Sequence, residues 1–264
     1  MSDISKSTIH LLEQAHDQYN GMDFIEDDPI QIPYLFSDKL SIEISGLIAA
    51  TLAWGNRKSI IKSAKEWLRI MDNAPAEFVL HHQPQDLKAF SHFKHRTFQP
   101  ADARYFIRAL HRLIQTHKSL EMAFAAGSDS KEVHVENILR RFHDRFFDDS
   151  LAEARTRKHV ATPARKSCCK RLNMFLRWMV RQDSRGVDLG IWQAIQPAQL
   201  ICPLDVHVER VARSLGLLRR KQTDWQAALE LTEALRIIDP KDPVRFDFAL
   251  FGIGLSQKYE KNQV

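Results

Sequence analysis

Residues 40–54 constrain this chain more than any other stretch. Ile42, Ile44, Leu47, Ile48, Ala49, Leu52, Ala53 and Trp54 leave a helix of that length almost without a polar face. A helix that is apolar all round has to be buried, so the other elements must pack about it. Gly55 ends it, and Asn56-Arg57-Lys58 form a polar, basic turn before a helix expected at 59–72. A chain of 264 residues has room for one large or two small domains with a sizeable core. Only 9 glycines and 10 prolines argue against a turn-rich β protein. Apolar residues recur at helical spacing over 5–20, 75–90, 101–116, twice within 119–150, and over 171–181, 189–195, 205–215, 224–238 and 244–255. The fold class expected is all-α, with ten to twelve helices and no strand.

Several classes of protein are excluded or made remote. Hydrophobic residues at 44% speak for a globular chain rather than a disordered one. The 3 cysteines, Cys168, Cys169 and Cys202, give neither a disulfide framework nor a four-cysteine metal or iron–sulfur site. That fits a reducing cytoplasm. Ser2 to His16 is polar and mixed in charge, unlike a signal peptide. No apolar run reaches the roughly 18 residues of a membrane span. No residue pattern marks a metal site.

Charge is distributed unevenly. From Ala154 to Gln182 the chain carries Arg155, Arg157, Lys158, Arg165, Lys166, Lys170, Arg171, Arg177 and Arg181, with no Asp or Glu. The whole chain is only +5, so the remainder is net negative. A charge run is usually a solvated face, yet one without interspersed carboxylates is a candidate contact for a polyanion. Lys94, His95 and Arg96 between Phe93 and Phe98 could touch a nucleic acid by charge and stacking, or could be a loop with hydrophobic anchors.

Just beyond the basic stretch lies Cys202-Pro203-Leu204-Asp205-Val206-His207-Val208-Glu209-Arg210-Val211. Pro203 keeps the chain extended. Asp205 stands at an N-cap position. Val208, Val211, Ala212 and Leu215 share one face, and Gly216 closes the helix. Taken alone this is a capped core helix. It also resembles the Asp-Thr-His-Val-x-Arg-Val segment of the helix–hairpin–helix DNA glycosylases, the superfamily of endonuclease III and 8-oxoguanine glycosylase. Three further segments are similar to that family in the same order: Gly46 to Gly55, Ala103-Arg104-Tyr105-Phe106-Ile107, and Asp247 to Gly254. Within the superfamily the likeness is to a bacterial branch that carries the run from Lys170 to Arg181.

The resemblance implies a single two-lobed helical unit over residues 1–264, with an insertion at about 117–160 and the hairpin at about 160–181. It implies base-excision repair: an N-glycosylase with AP lyase activity acting on double-stranded DNA that contains a damaged base, for example 8-oxoguanine. Asp205 would be the catalytic carboxylate. Lys170 would be the nucleophilic amine, with a phosphate contact as its other reading and Lys166 as nucleophile if the hairpin register differs. Asn56, Arg57, Lys58, Arg165, Lys166 and Arg171 would contact DNA. Trp54, Phe175, Trp178 and Phe248 are candidates to hold the flipped base, or are core. His207 would pack or position the helix, and Cys168 and Cys169 are buried spacers or reactive thiols. No cofactor is implied, and a monomer associated with the nucleoid is expected. In the family the hairpin reads Leu-Pro-Gly-Val-Gly-Arg-Lys. Here the equivalent Lys166-Ser167-Cys168-Cys169-Lys170 has no glycine, so side-chain cations would have to take over the backbone's approach to phosphate.

Overall fold

In the computed structural model residues 4–129 and 131–261 are described. Among them are eleven α-helices: α1 (Lys6–Tyr19), α2 (Lys39–Leu52), α3 (Arg57–Ile70), α4 (Pro75–His81), α5 (Pro100–His117), α6 (Leu120–Ala125), α7 (Glu136–Phe146), α8 (Lys170–Val180), α9 (Val206–Ser214), α10 (Trp225–Ile238) and α11 (Asp247–Lys261). Eight short 3-10 helices link them, and the described residues hold no strand beyond an isolated bridge between His95 and Phe98. No helix among them is long and apolar enough to cross a membrane.

The chain forms two compact units. One comprises residues 25–130 and 136–161, the other residues 1–24, 131–135 and 162–264. In the first, α2 is enclosed as its composition requires: every residue from Ser41 to Leu52 is buried. Asp38 caps its start by accepting from the amide of Ser41 at 2.8 Å. Glu43, also buried, turns its carboxylate onto the start of α6 and accepts from the amides of Leu120 (2.8 Å) and Glu121 (3.2 Å). A buried carboxylate that satisfies orphan helix amides escapes the cost of burial without partners. The rings of Phe124 in α6 and Phe142 in α7 stack at 3.6 Å. Segment 117–160, expected as an insertion, therefore builds much of this unit's core, while residues 131–135 within it belong to the other unit.

In the second unit α11 packs on α1 and α9. Two glycines of α11 permit this. A Cβ on Gly252 would lie 2.2 Å from the ring of Tyr19, and one on Gly254 would lie 2.9 Å from Cβ of His207.

Three expectations need correction. Segment 189–195 is not helical. It runs along the end of α8, where the amides of Leu189 and Trp192 donate to the carbonyls of Trp178 and Met179, each at 2.8 Å. Those carbonyls are the orphans of a helix C-terminus, so docking the segment there satisfies both. Gly190 makes the turn with φ 57. The helix expected over 75–90 is α4 followed by a separate 3-10 helix, Asp86–His92. Leu11, placed on the inner face of α1, is exposed, and His16 is buried instead.

Candidate active site

The basic loop before α8 bends without glycine. Lys166 (φ 60) and Cys169 (φ 50) both adopt the left-handed conformation, at a cost on the order of 1 kcal/mol each. Local hydrogen bonds hold the bend. The carbonyl of Lys166 accepts from the amide of Trp225 at 3.2 Å, at the start of α10. Oγ of Ser167 accepts from the amide of Cys169 at 3.1 Å, and Nδ2 of Asn173 donates to the carbonyl of Cys168 at 3.1 Å. Thus α8 starts at Lys170, one residue before the expected helix.

Asp205 caps α9 as its sequence requires. Its Oδ1 accepts from the amides of His207 (2.8 Å) and Val208 (2.9 Å). Its other oxygen, Oδ2, lies 3.8 Å from Nζ of Lys170. One oxygen fixes the carboxylate and the second faces the amine. The side chains of Lys170 and Asp205 are 32% and 15% exposed, which leaves both within reach of a ligand. Ring centroids of His207 and Phe251 are 5.4 Å apart, so His207 seats the first turn of α9 on α11.

The thiols around this pair are poor nucleophiles. Burial pushes Cys168 up, and pushes Cys202 well up, with the charges of Asp247 and Asp205 adding to the effect on Cys202. A raised thiol favours the spacer role over the reactive one.

The cations of the basic stretch do not act as one surface. Arg165 and Lys166 are exposed. Arg171 is half-buried, and burial pushes its guanidinium down to about 10, which keeps it charged at neutral pH. Arg177 and Arg181 are buried and withdrawn from any polyanion. Arg177 donates to Asp188 from Nε (3.1 Å) and Nη2 (3.0 Å) and to Asp247 from Nη1. Arg181 reaches Asp183 (2.7 Å), Asp188 (3.0 Å) and Asp242 (2.8 Å). Burial pushes Asp247 up to about 6, against the pull of Arg177 and with the charge of Asp205 adding to it. In the sequence Asp247 stands out only as the start of the last matching segment; its place in this network is signalled by no more than an acid between Phe246 and Phe248 at a helix start.

Of the candidates for holding a base, Phe175 and Trp178 are closed in the core at 0% and 1% exposure. Phe248, at 7%, lies under the guanidinium of Arg177 at 3.8 Å. None of these three offers a face to a flipped base, which corrects that expectation. Trp54, Asn56, Arg57 and Lys58 belong to the unit built on α2. Trp54 is half-buried and stacks on His159 at 5.7 Å. His159 is in turn held 3.4 Å from the buried Asp102, which also pairs with Arg155 at 3.1 Å. Asn56 caps α3 through the amide of Ser59 at 3.3 Å, Arg57 lies 3.4 Å from Asp28, and Lys58 is exposed. In the loop before α5, Phe93 and Phe98 are buried anchors, and His95 is buried against Ser63 at 2.9 Å. Lys94 and Arg96 remain exposed there. Among the described residues no group of three or more His, Cys, Asp or Glu is placed to hold a metal ion.

The family described as "Protein of unknown function (DUF2400)" matches residues 28–256. No curated protein and no solved structure matches the chain.

Proposed function

We propose that this chain, which belongs to the DUF2400 family, is a DNA N-glycosylase with AP lyase activity that works through Lys170 and Asp205. The observation that carries the reading is the 3.8 Å approach of the Lys170 amine to the free oxygen of an Asp205 carboxylate whose other oxygen is locked by two amides. An amine becomes a nucleophile only after losing a proton, and Oδ2 of Asp205 is placed to take it. Nζ then bonds to C1′ of the target nucleotide as the C1′–N glycosidic bond breaks and the base leaves with the electron pair. Positive charge grows on the sugar as that bond lengthens, and a fixed carboxylate beside it lowers the barrier. The nitrogen then loses a proton and its lone pair breaks the C1′–O4′ bond, O4′ taking up a proton as the sugar opens. The protonated Schiff base so formed acidifies C2′, and loss of that proton expels the 3′ phosphate and nicks the strand. Arg165 and Lys166, exposed on the loop, with Arg171 beside Lys170, supply cations for the backbone phosphates.

The bend at Lys166 and Cys169 supports this reading, since the left-handed turns for which glycine would be the usual choice are formed by other residues. The test is a panel of duplexes carrying oxidised, alkylated or deaminated bases, assayed for base release and strand nicking. The expected result is activity on at least one lesion, abolished in Lys170→Gln and in Asp205→Asn. DNA binding that falls with salt, unaltered in both variants and with no base released from any duplex, points to a non-catalytic DNA-binding protein. Absence of DNA binding even at low salt points to a helical protein–protein adaptor.

A further inference from the structure

The unit built on α2 contains a cavity of about 690 Å3 beside α5, within the range of about 300–1,000 Å3 typical of small-molecule sites. Its charged lining is cationic: Lys88, Arg104 and Arg108, with no carboxylate. Arg104 and Arg108 stand one turn apart on α5, so their side chains leave the same face. Like charges at that spacing repel. Among the described residues none of the three cations has a carboxylate within ion-pairing distance. The next arginine of the helix behaves differently: Arg112 pairs with Asp149 at 3.2 Å. Nε of Arg108 is buried without a hydrogen-bond partner. A fully solvated arginine would not hide that donor.

The rest of the lining is ordered. Nδ1 of His111 and Nδ1 of His82 lie 2.8 Å and 3.2 Å from the carbonyl of Val79. A carbonyl only accepts, so both ring nitrogens donate to it, and the two imidazoles are fixed on one wall. Pro84, which is exposed, gives the cavity an apolar edge, with the buried Leu87 behind it. We propose that this cavity binds a phosphate-bearing ligand of nucleotide size, with Arg104 and Arg108 on the phosphate and the sugar or base against Pro84. Planar guanidinium forks suit phosphate oxygens, and a third cation matches a dianion. The phosphate could belong to a free nucleotide or to one nucleotide of a DNA strand. The inference does not rest on the reading of Lys170 and Asp205.

The test measures binding of inorganic phosphate, dAMP and an undamaged DNA duplex to the full chain by calorimetry at fixed salt. Arg104→Gln and Arg108→Gln are compared with the unmodified chain, and circular dichroism checks their folding. Lys88 is exposed, so Lys88→Gln leaves the core intact and is read beside them. A loss of dAMP affinity of about tenfold in Arg108→Gln, with duplex affinity unchanged, supports the site and makes its ligand a free nucleotide. A parallel loss for the duplex, with its salt dependence reduced by about one phosphate contact, supports the site and assigns it to a DNA strand. Phosphate, dAMP and duplex binding unchanged in all three variants, or no binding of any probe, overturns the proposal.

Discussion

The two ends of α8 carry the same kind of residue and use it in opposite ways. At its start Lys170 is part-exposed and stands 3.8 Å from one carboxylate oxygen. Two turns on, Arg177 and then Arg181 just beyond the helix are buried among Asp183, Asp188, Asp242 and Asp247. The first arrangement is loose and accessible, so it can exchange its partner for a ligand. The second is closed, with each guanidinium paired to two or more carboxylates, so it holds the structure. A run of cations in a sequence therefore does not define a surface, because the carboxylates that neutralise some of them come from elsewhere in the chain.

Breaking the closed end should have the largest effect. Asp188 bridges both arginines, and Asp188→Ala leaves two buried guanidinium groups short of a partner. A loss of about 3–5 kcal/mol is expected, measured by urea unfolding, against less than about 1 kcal/mol for Lys170→Gln. Equal losses at the two ends would erase the distinction between them.

The closed end should also respond to pH through Asp247. Its carboxyl is raised from 3.8 to about 6, chiefly by burial. A carboxyl raised in the folded state contributes stability below its ordinary value, and that contribution is lost as pH rises through the folded value. The stability of the unmodified chain relative to Asp247→Asn should therefore fall between pH 4 and pH 7. A flat difference over that window would show that Arg177 holds Asp247 ionised throughout.

At the open end, capping and chemistry can be separated. Asp205→Ala removes the cap of α9 and should cost about 1 kcal/mol. Asparagine caps nearly as well, so Asp205→Asn should leave stability within about 0.5 kcal/mol while abolishing the proposed activity. If Asp205→Asn instead retained base release, the carboxylate would be a cap and no more. The smallest effect expected is a gain. Lys166→Gly relieves a left-handed side chain and should raise stability by about 0.5–1 kcal/mol in the same unfolding assay.

The helices were legible because their signals are local. The apolar run of α2, Asp205 before α9 and Asp224 before α10 each act within a few residues. Segment 189–195 was misread because its partners are carbonyls at the end of α8, which no periodicity records. The bend before α8 gave no glycine to announce it. Lys170 and Asp205 were singled out through a resemblance, and the structure places them together. The division of the basic stretch was not legible, since Arg177 meets a carboxylate 70 residues away.

Borohydride reduction on a duplex containing an abasic site tests the central claim most directly. The account predicts a covalent protein–DNA adduct that maps to Lys170, survives in Lys166→Gln and disappears in Lys170→Gln. An adduct that persists in Lys170→Gln, or no adduct with the unmodified chain, would contradict it.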